Sequence, residues 1–215
     1  MSDDAPPPPA VDAIVLAAGE GRRLGRPKAL LEVHGQWMLP RLVRSLRAGG
    51  CRQVVVVIRA ELIEELGSRG GTGADEVVVN PNPAAGRTGS ILRGLEVAQG
   101  VVRKPDAALI HPADIPLLGA DAVQQLIGAW RAAPSREGLA ARLVTPGGRG
   151  GHPLLLGADR LAAVAELRPD QSLREVLHAA PEKKLDVVRR GDPGPFLDVD
   201  TPEQLALLET LIPGN

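Results

Sequence analysis

The first segment able to do chemistry reads Leu16-Ala17-Ala18-Gly19-Glu20-Gly21-Arg22-Arg23-Leu24-Gly25-Arg26-Pro27-Lys28. Small residues at Ala17, Ala18, Gly19 and Gly21 let the backbone close on a ligand and aim its N–H groups at phosphate oxygens. Arg23 and Lys28 add full positive charges suited to a polyphosphate. The string is not a Walker loop, because the Gly-Lys-Ser/Thr ending is missing. Nor is it a dinucleotide fingerprint: Gly19-Glu20-Gly21 is followed at the third site by Leu24, where glycine is wanted.

Four further strings carry polar groups in suggestive places. In Asn80-Pro81-Asn82-Pro83-Ala84-Ala85-Gly86-Arg87-Thr88-Gly89-Ser90, a strand ends and Gly86 turns the chain. A helix N-terminus then presents N–H groups and the Ser90 hydroxyl to a ligand; Thr88 or Ser90 could equally serve as a helix cap. In His111-Pro112-Ala113-Asp114-Ile115-Pro116, Asp114 stands just past a buried strand between two prolines. That places it to take Mg2+, or simply to start a turn. His111 reads as a packing or locally hydrogen-bonded residue. Gly150-Gly151-His152-Pro153 lies in the most Gly/Pro-rich interior stretch, residues 145–153. That stretch reads as a functional loop at the sheet edge. In Phe196-Leu197-Asp198-Val199-Asp200-Thr201-Pro202-Glu203, alternation of side chains puts Asp198 and Asp200 on one side of an extended segment.

The elements that must position these strings are legible from periodicity. Residues 11–17, 53–58, 76–79 and 106–110 are short apolar runs of the kind found in buried parallel strands. Residues 139–144 and 184–189 are weaker strand candidates, and 195–199 leads into another turn. Helical spacing of apolar residues marks 37–48, 60–68, 88–98, 119–132, 158–167, 171–179 and 202–211. Thr201 before Pro202 and Glu203 is a good start for the last helix. Strands alternating with helices predict an α/β domain with a mostly parallel sheet. Ligands of such sheets bind beyond the carboxyl ends of the strands. The polar segments after the first, third and fourth strands should therefore share one face.

Bulk composition narrows the class. The 215 residues suffice for one sizeable core. A single domain over 11–215 is expected, preceded by an acidic, Pro-rich tail over 1–10 that reads as disordered or extended. The tail resembles neither a secretory signal nor a transit peptide, so a cytoplasmic location is the default expectation. Trp37, Trp130 and Phe196 are the only aromatic residues, too few for base-stacking platforms. With a net charge of -1, no broad footprint for nucleic acid or an anionic membrane is expected. Cys51 stands alone, so neither a disulfide nor a cysteine metal cluster is available.

The first loop closely resembles the nucleotide-binding loop of Rossmann-like nucleotidyltransferases, Leu-Ala-x-Gly-x-x-x-Arg-Met/Leu-Gly-x-x-Lys. Leu16, Ala17, Gly19, Arg23, Leu24, Gly25 and Lys28 carry the match. From about residue 12 to about 210 the chain is similar to the molybdenum cofactor cytidylyltransferases and their guanylyltransferase relatives. Gly86, Ser90, Gly94 and Leu95 match the cytidylyltransferase string, with Arg87 where Met is usual. The resemblance implies a three-layer α/β domain of the nucleotide-diphospho-sugar transferase type. It also implies a nucleotide site of Leu16, Ala17, Ala18, Gly19, Gly21, Arg23, Lys28, Gly86, Arg87 and Ser90. Arg23 and Lys28 would lie on the triphosphate, and Asp114 with Asp200 on Mg2+. Arg23, Lys28 and Asp114 are the expected catalytic residues. Gly151 and His152 would meet the acceptor. Asp170 and Arg174 stand where the family has an acceptor-side Gly-Asp-x-Gly-x-Arg, but its glycines are absent here.

The implied reaction is transfer of a nucleoside monophosphate to a phosphate acceptor with release of pyrophosphate. Ala18, and Ser90 in its Gly-Arg-Thr-Gly-Ser setting, favour CTP over GTP in the resembling families. The implied acceptor is molybdopterin, with a molybdoenzyme as a possible partner. A sugar-phosphate or polyol-phosphate acceptor would share every phosphate-side residue. A non-catalytic nucleotide-binding protein and a Rossmann oxidoreductase are the readings from other classes.

Overall fold

A computed structural model describes residues 7–100 and 104–212. Of the tail expected over 1–10, residues 1–6 lie outside the described residues. Pro9 and Ala10 are held: the Pro9 carbonyl accepts from Arg131, and the Ala10 N–H donates to Asp106 at 2.7 Å.

Seven strands form one sheet. They are β1 (Val11–Leu16), β4 (Val54–Ile58), β5 (Glu76–Val79), β6 (Ala107–Pro112), β7 (Ala140–Val144), β8 (Gly150–Gly157) and β9 (Lys184–Val188), in the order β5-β4-β1-β6-β8-β7-β9. β1 pairs in parallel with β4 and β6, β4 with β5, and β7 with β9. β8 alone runs antiparallel to its neighbours, β6 and β7. The apolar runs become central strands because both faces are covered: all of β4 and β6 is buried.

Alternation along the strands sorts the core into two layers. Val11, Ala13, Val15, Val54, Val56 and Ile58 face one side. There they meet α1 (Met38–Ala48) through Leu42 and Leu46, and α4 (Ala120–Ala132) through Leu126 and Trp130. α2 (Ile63–Ser68) adds Leu66 to the same layer. Ile14, Val55 and Val57 face the opposite side, against α3 (Arg87–Gln99) and α5 (Ala158–Ala165). α6 (Leu173–His178) closes that layer with Val176. The result is the three-layer α/β domain expected, with the sheet mostly parallel.

A smaller cluster matters more for function. A two-stranded hairpin, β2 (Glu32–Val33) and β3 (Gln36–Trp37), packs through Val33 with Leu31, Met38, Val199 and Leu208. Leu208 belongs to α7 (Pro202–Leu211). Thr201 caps that helix as expected, in a reciprocal box with Gln204. The hairpin turn places His34 at φ 49° and Gly35 at φ 73°, the left-handed pair that tight hairpins require.

One expectation is corrected. Residues 145–153 are not all loop: Gly150 onward is strand, in the interior of the sheet. Two glycines and a proline disguise it, since all three disfavour strands. Between Arg142–Leu154 and Val144–Gly150 the register shifts, so residues 151–153 bulge opposite Leu143. Pro153 sits within that bulge, where its missing N–H interrupts no ladder bond. Gly194–Phe196 make a single 3-10 turn, and 197–200 run extended without a strand partner. Among the described residues, no helix is long and apolar enough to cross a membrane.

Candidate active site

The loops after β1, β5 and β6 do share one face, beyond the carboxyl ends of parallel strands. The β1 loop is closed by Gly21, which sits at φ 64°. A Cβ there would stand 1.9 Å from the Arg26 carbonyl oxygen, so only glycine lets the loop fold back this tightly. The Gly21 carbonyl accepts from the Leu24 N–H at 2.9 Å. Among the described residues, no hydrogen bond engages the N–H groups of residues 18–23. Unengaged N–H groups of this kind are what a phosphate cradle would need.

Lys28 opens a short 3-10 turn whose next residues, Ala29 and Leu30, are buried. Its backbone is thereby pinned and its side chain, 18% exposed, points back into the cleft. The ammonium donates to Asp114 Oδ2 at 2.5 Å and also to Asp200 Oδ1. Arg23, 72% exposed, donates to Asp200 Oδ2 at 2.6 Å. Burial works against the charge on Lys28, but the hydrogen bonds to the two carboxylates prevail and its pKa is raised. The hydrogen bond from Lys28 lowers the pKa of Asp200.

Asp114 follows the end of β6, and the Ala113 N–H is tied to the Leu16 carbonyl at 3.0 Å. Asp200 arrives from the far end of the chain. Between it and Asp198, Val199 is fully buried, so both carboxylates turn toward the cleft side.

Four adjoining cavities make up the cleft. One of about 400 Å³ lies against Gly19, Arg23, Lys28 and Asp200. A second, about 200 Å³, is lined by Leu16, Ala18, Gly86, Ser90, Lys28 and Asp114. Arg87 lines the second, third and fourth, the last two of about 470 and 220 Å³. Gly86, at φ 126°, precedes Arg87 at the start of α3. His152 lies between the third and fourth cavities, and Gly151 lines the fourth. Asp170 and Arg174 line the third. The structure thus brings the residues expected at the site to one cleft with one exception: Ala17 is buried behind the loop and lines none of the four cavities.

The two histidines are poor acid–base groups. Burial pushes His111 down to about 3 and also lowers His152. His111 Nε2 donates to the Ile115 carbonyl at 2.8 Å, the local bond expected of it. Its ring meets His152 edge-on with centroids 6.2 Å apart. Arg149 escaped the sequence reading: it lines the fourth cavity, and its guanidinium donates to the Phe196 carbonyl at 2.9 Å. The only signal for it was a basic residue inside a glycine-rich stretch.

The donor set fits a magnesium ion that arrives with a nucleotide. Mg2+ is held by one or two carboxylates plus phosphate oxygens and water. Asp114 and Asp200 converge on a single cationic group, the Lys28 ammonium. Among the described residues, no cluster of three or more His, Cys, Asp or Glu could hold a metal by itself.

A parallel α/β sheet with a glycine-rich, basic loop over a carboxylate pair defines a nucleotidyltransferase-type domain. The chain belongs to the MobA-like NTP transferase domain family, whose model matches residues 13–185. Asp198 and Asp200 lie beyond the matched segment. The chain is 30% identical over 200 residues to nicotine blue oxidoreductase of Paenarthrobacter nicotinovorans, covering 92% of this chain and 95% of that protein. It is 50% identical over 52 residues to a probable molybdenum cofactor guanylyltransferase of Opitutus terrae, covering 24% and 26%. Among solved structures, Rv0371c of Mycobacterium tuberculosis H37Rv superposes with a TM-score of 0.75 at 22% identity, covering 94% of this chain and 98% of that one. A structure of Rv0371C with manganese superposes with a TM-score of 0.72 at 21% identity, covering 94% and 100%. At these identities the structures speak for the fold alone.

Proposed function

We propose that the protein transfers a nucleoside monophosphate, CMP from CTP, to the phosphate of an acceptor, molybdopterin, and releases pyrophosphate. The observation that carries this reading is the placement of Lys28 between Asp114 and Asp200, beside a loop with open N–H groups. An acceptor phosphate oxygen attacks the α-phosphorus in line, a new P–O bond forms, and the α–β bridging bond breaks. The leaving pyrophosphate takes the electron pair.

An anionic nucleophile needs no general base, which agrees with two histidines held neutral by burial. Arg23 and Lys28 stabilise charge growing on the pyrophosphate, and the N–H groups of 18–23 orient the triphosphate. Asp114 and Asp200 would hold Mg2+, which neutralises charge at the α-phosphate when bound. Ser90 and Ala18 line the nucleotide cavity, and the preference for CTP rests on their resemblance to cytidylyltransferases. Gly151 and His152 face the acceptor side. A cytoplasmic location and delivery of the product to a molybdoenzyme go with this acceptor.

Pyrophosphate release, measured with four NTPs against molybdopterin and several sugar and polyol phosphates, tests the reading. Preference for GTP overturns the nucleotide, and turnover only with a sugar phosphate overturns the acceptor. One observation favours a second reading: the relative matched over 92% of this chain is named an oxidoreductase. The same fold supports different reactions. Oxidation of a reduced nicotinamide nucleotide, with no pyrophosphate release under any condition, would establish that alternative.

A further inference from the structure

We infer that Arg160 is a positioning residue for the acceptor: from behind the third cavity its guanidinium fixes α6, the wall against which the acceptor's body rests. The inference rests on the nucleotidyltransferase reading and deepens it.

The cleft divides between two substrates. The basic loop and Lys28 line the first and second cavities, which together fall in the range of a small-molecule site and can take a nucleoside triphosphate. The third adjoins the second, with Leu16, Arg87 and Pro112 shared between them. It is lined further by Ile91, Ile110 and Leu154, and by Leu173, Arg174 and Leu177 of α6. The acceptor's body belongs there, next to the reacting phosphates and away from the loop that holds them.

α6 has little packing to keep it in place. It is six residues long, and Val176 is its single buried side chain. Helices owe most of their stability to tertiary packing, so polar bonds must hold this one. At its start, Ser172 caps the helix, and the Thr88 hydroxyl donates to the Gln171 carbonyl at 2.6 Å. At its end, the last carbonyls of a helix have no partner within it. Arg160 reaches them from α5. Nη1 donates to the Val176 carbonyl at 2.5 Å, and Nη2 to the Ala180 carbonyl at 2.7 Å. Nε donates at 2.9 Å to the carbonyl of Gly138, in the 3-10 turn that leads into β7. One guanidinium thereby ties the end of α6 to the edge of the sheet.

The residue type is informative. Arg160 is 6% exposed, and its three partners are carbonyls, not carboxylates. Burying a cation without a counter-charge costs free energy that an apolar side chain of similar volume avoids. What an apolar side chain lacks is a planar fork of donors at fixed angles. The arginine is therefore explained by the geometry it imposes on α6, not by a gain in stability.

The test measures pyrophosphate release at varied molybdopterin with saturating CTP, and dissociation constants for CTP, in wild type, Arg160→Met and Arg160→Lys. Thermal melts report folding. Arg160→Met should raise KM for molybdopterin about tenfold, with kcat and the Kd for CTP within about twofold of wild type. Arg160→Lys keeps the charge but not the fork, and should raise KM by a smaller factor. A purely structural arginine would lower the melting temperature and scale down kcat through a smaller folded fraction, with KM unchanged. That result, or equal losses for both substrates, overturns the inference. If Arg160→Met does not fold, Arg160→Lys decides alone: a wild-type KM overturns it. Should a sugar or polyol phosphate prove to be the acceptor, it replaces molybdopterin in the same measurements. A wild type that releases no pyrophosphate with any acceptor overturns the underlying reading and this inference together.

Discussion

The backbone carbonyl of Asp114 accepts the Val199 N–H at 2.8 Å. This bond ties the corner after β6 to a segment near the end of the chain. The Val199 side chain is buried with Leu31, Val33, Met38 and Leu208. Anchored on both counts, the strap turns Asp200 toward Lys28 and completes the charge cluster. Its predicted consequences begin with the residues on either side of that bond.

Asp114→Ala should reduce pyrophosphate release by at least ~100-fold, as expected when a group stabilising transition-state charge is removed. The fold should persist, because the backbone bond to Val199 remains and Lys28 keeps its bond to Asp200. A near-native far-UV spectrum with lost turnover is the expected result. Retention of most of the activity would sink the metal assignment.

Arg23→Ala should leave stability within about 1 kcal/mol of wild type, since ion pairs exposed to water contribute little. The value of kcat/KM for the nucleotide should nonetheless fall ~10- to 100-fold, through loss of a charge at the triphosphate. Equal kinetics for variant and wild type would remove Arg23 from the site.

Gly151→Ala probes the strap from the other side. A Cβ at Gly151 would lie 2.5 Å from the Phe196 ring and 2.7 Å from the Pro195 carbonyl oxygen. Overpacking of this kind costs about 1–3 kcal/mol and displaces the strap that carries Asp200. Turnover should fall in the fraction that remains folded. Gly128→Ala, in α4 with nothing within 4 Å of the added carbon, is the control. It should keep full activity and gain up to about 1 kcal/mol from helix propensity. Unchanged turnover in Gly151→Ala would show that the strap does not position the site.

Acid should destabilise the protein through His111. Burial holds its pKa at about 3, against an ordinary value of 6.5. Below pH 6.5 the unfolded chain binds a proton that the folded chain refuses. The stability contribution is therefore complete above pH 6.5 and is lost progressively as pH falls toward 3, by about 1.4 kcal/mol per pH unit in the steep part. His152, lowered by its own burial, acts with the same sign. Urea unfolding at a series of pH values should give a shallower slope for His111→Gln than for wild type. Identical slopes would assign the acid sensitivity elsewhere.

Much of the fold was legible in the sequence because it is written in local patterns. The apolar runs of β1, β4 and β6 announce strands covered on both faces, and the helices follow from apolar spacing alone. The glycine-rich loop with Arg23 and Lys28 is a contiguous string, so its chemistry could be read without coordinates. β8 could not be read this way. Gly150, Gly151 and Pro153 have poor strand propensity, and only flanking by β6 and β7 makes that segment a strand.

The charge cluster is a matter of tertiary structure. Lys28 meets carboxylates 86 and 172 residues away in the chain, and spacing in sequence carries no record of such closures. The sequence by itself determined the residue types and the framework that holds them. Packing of Val199 into its cluster, together with the hydrogen bonds that close the cleft, decided which of those residues stand together.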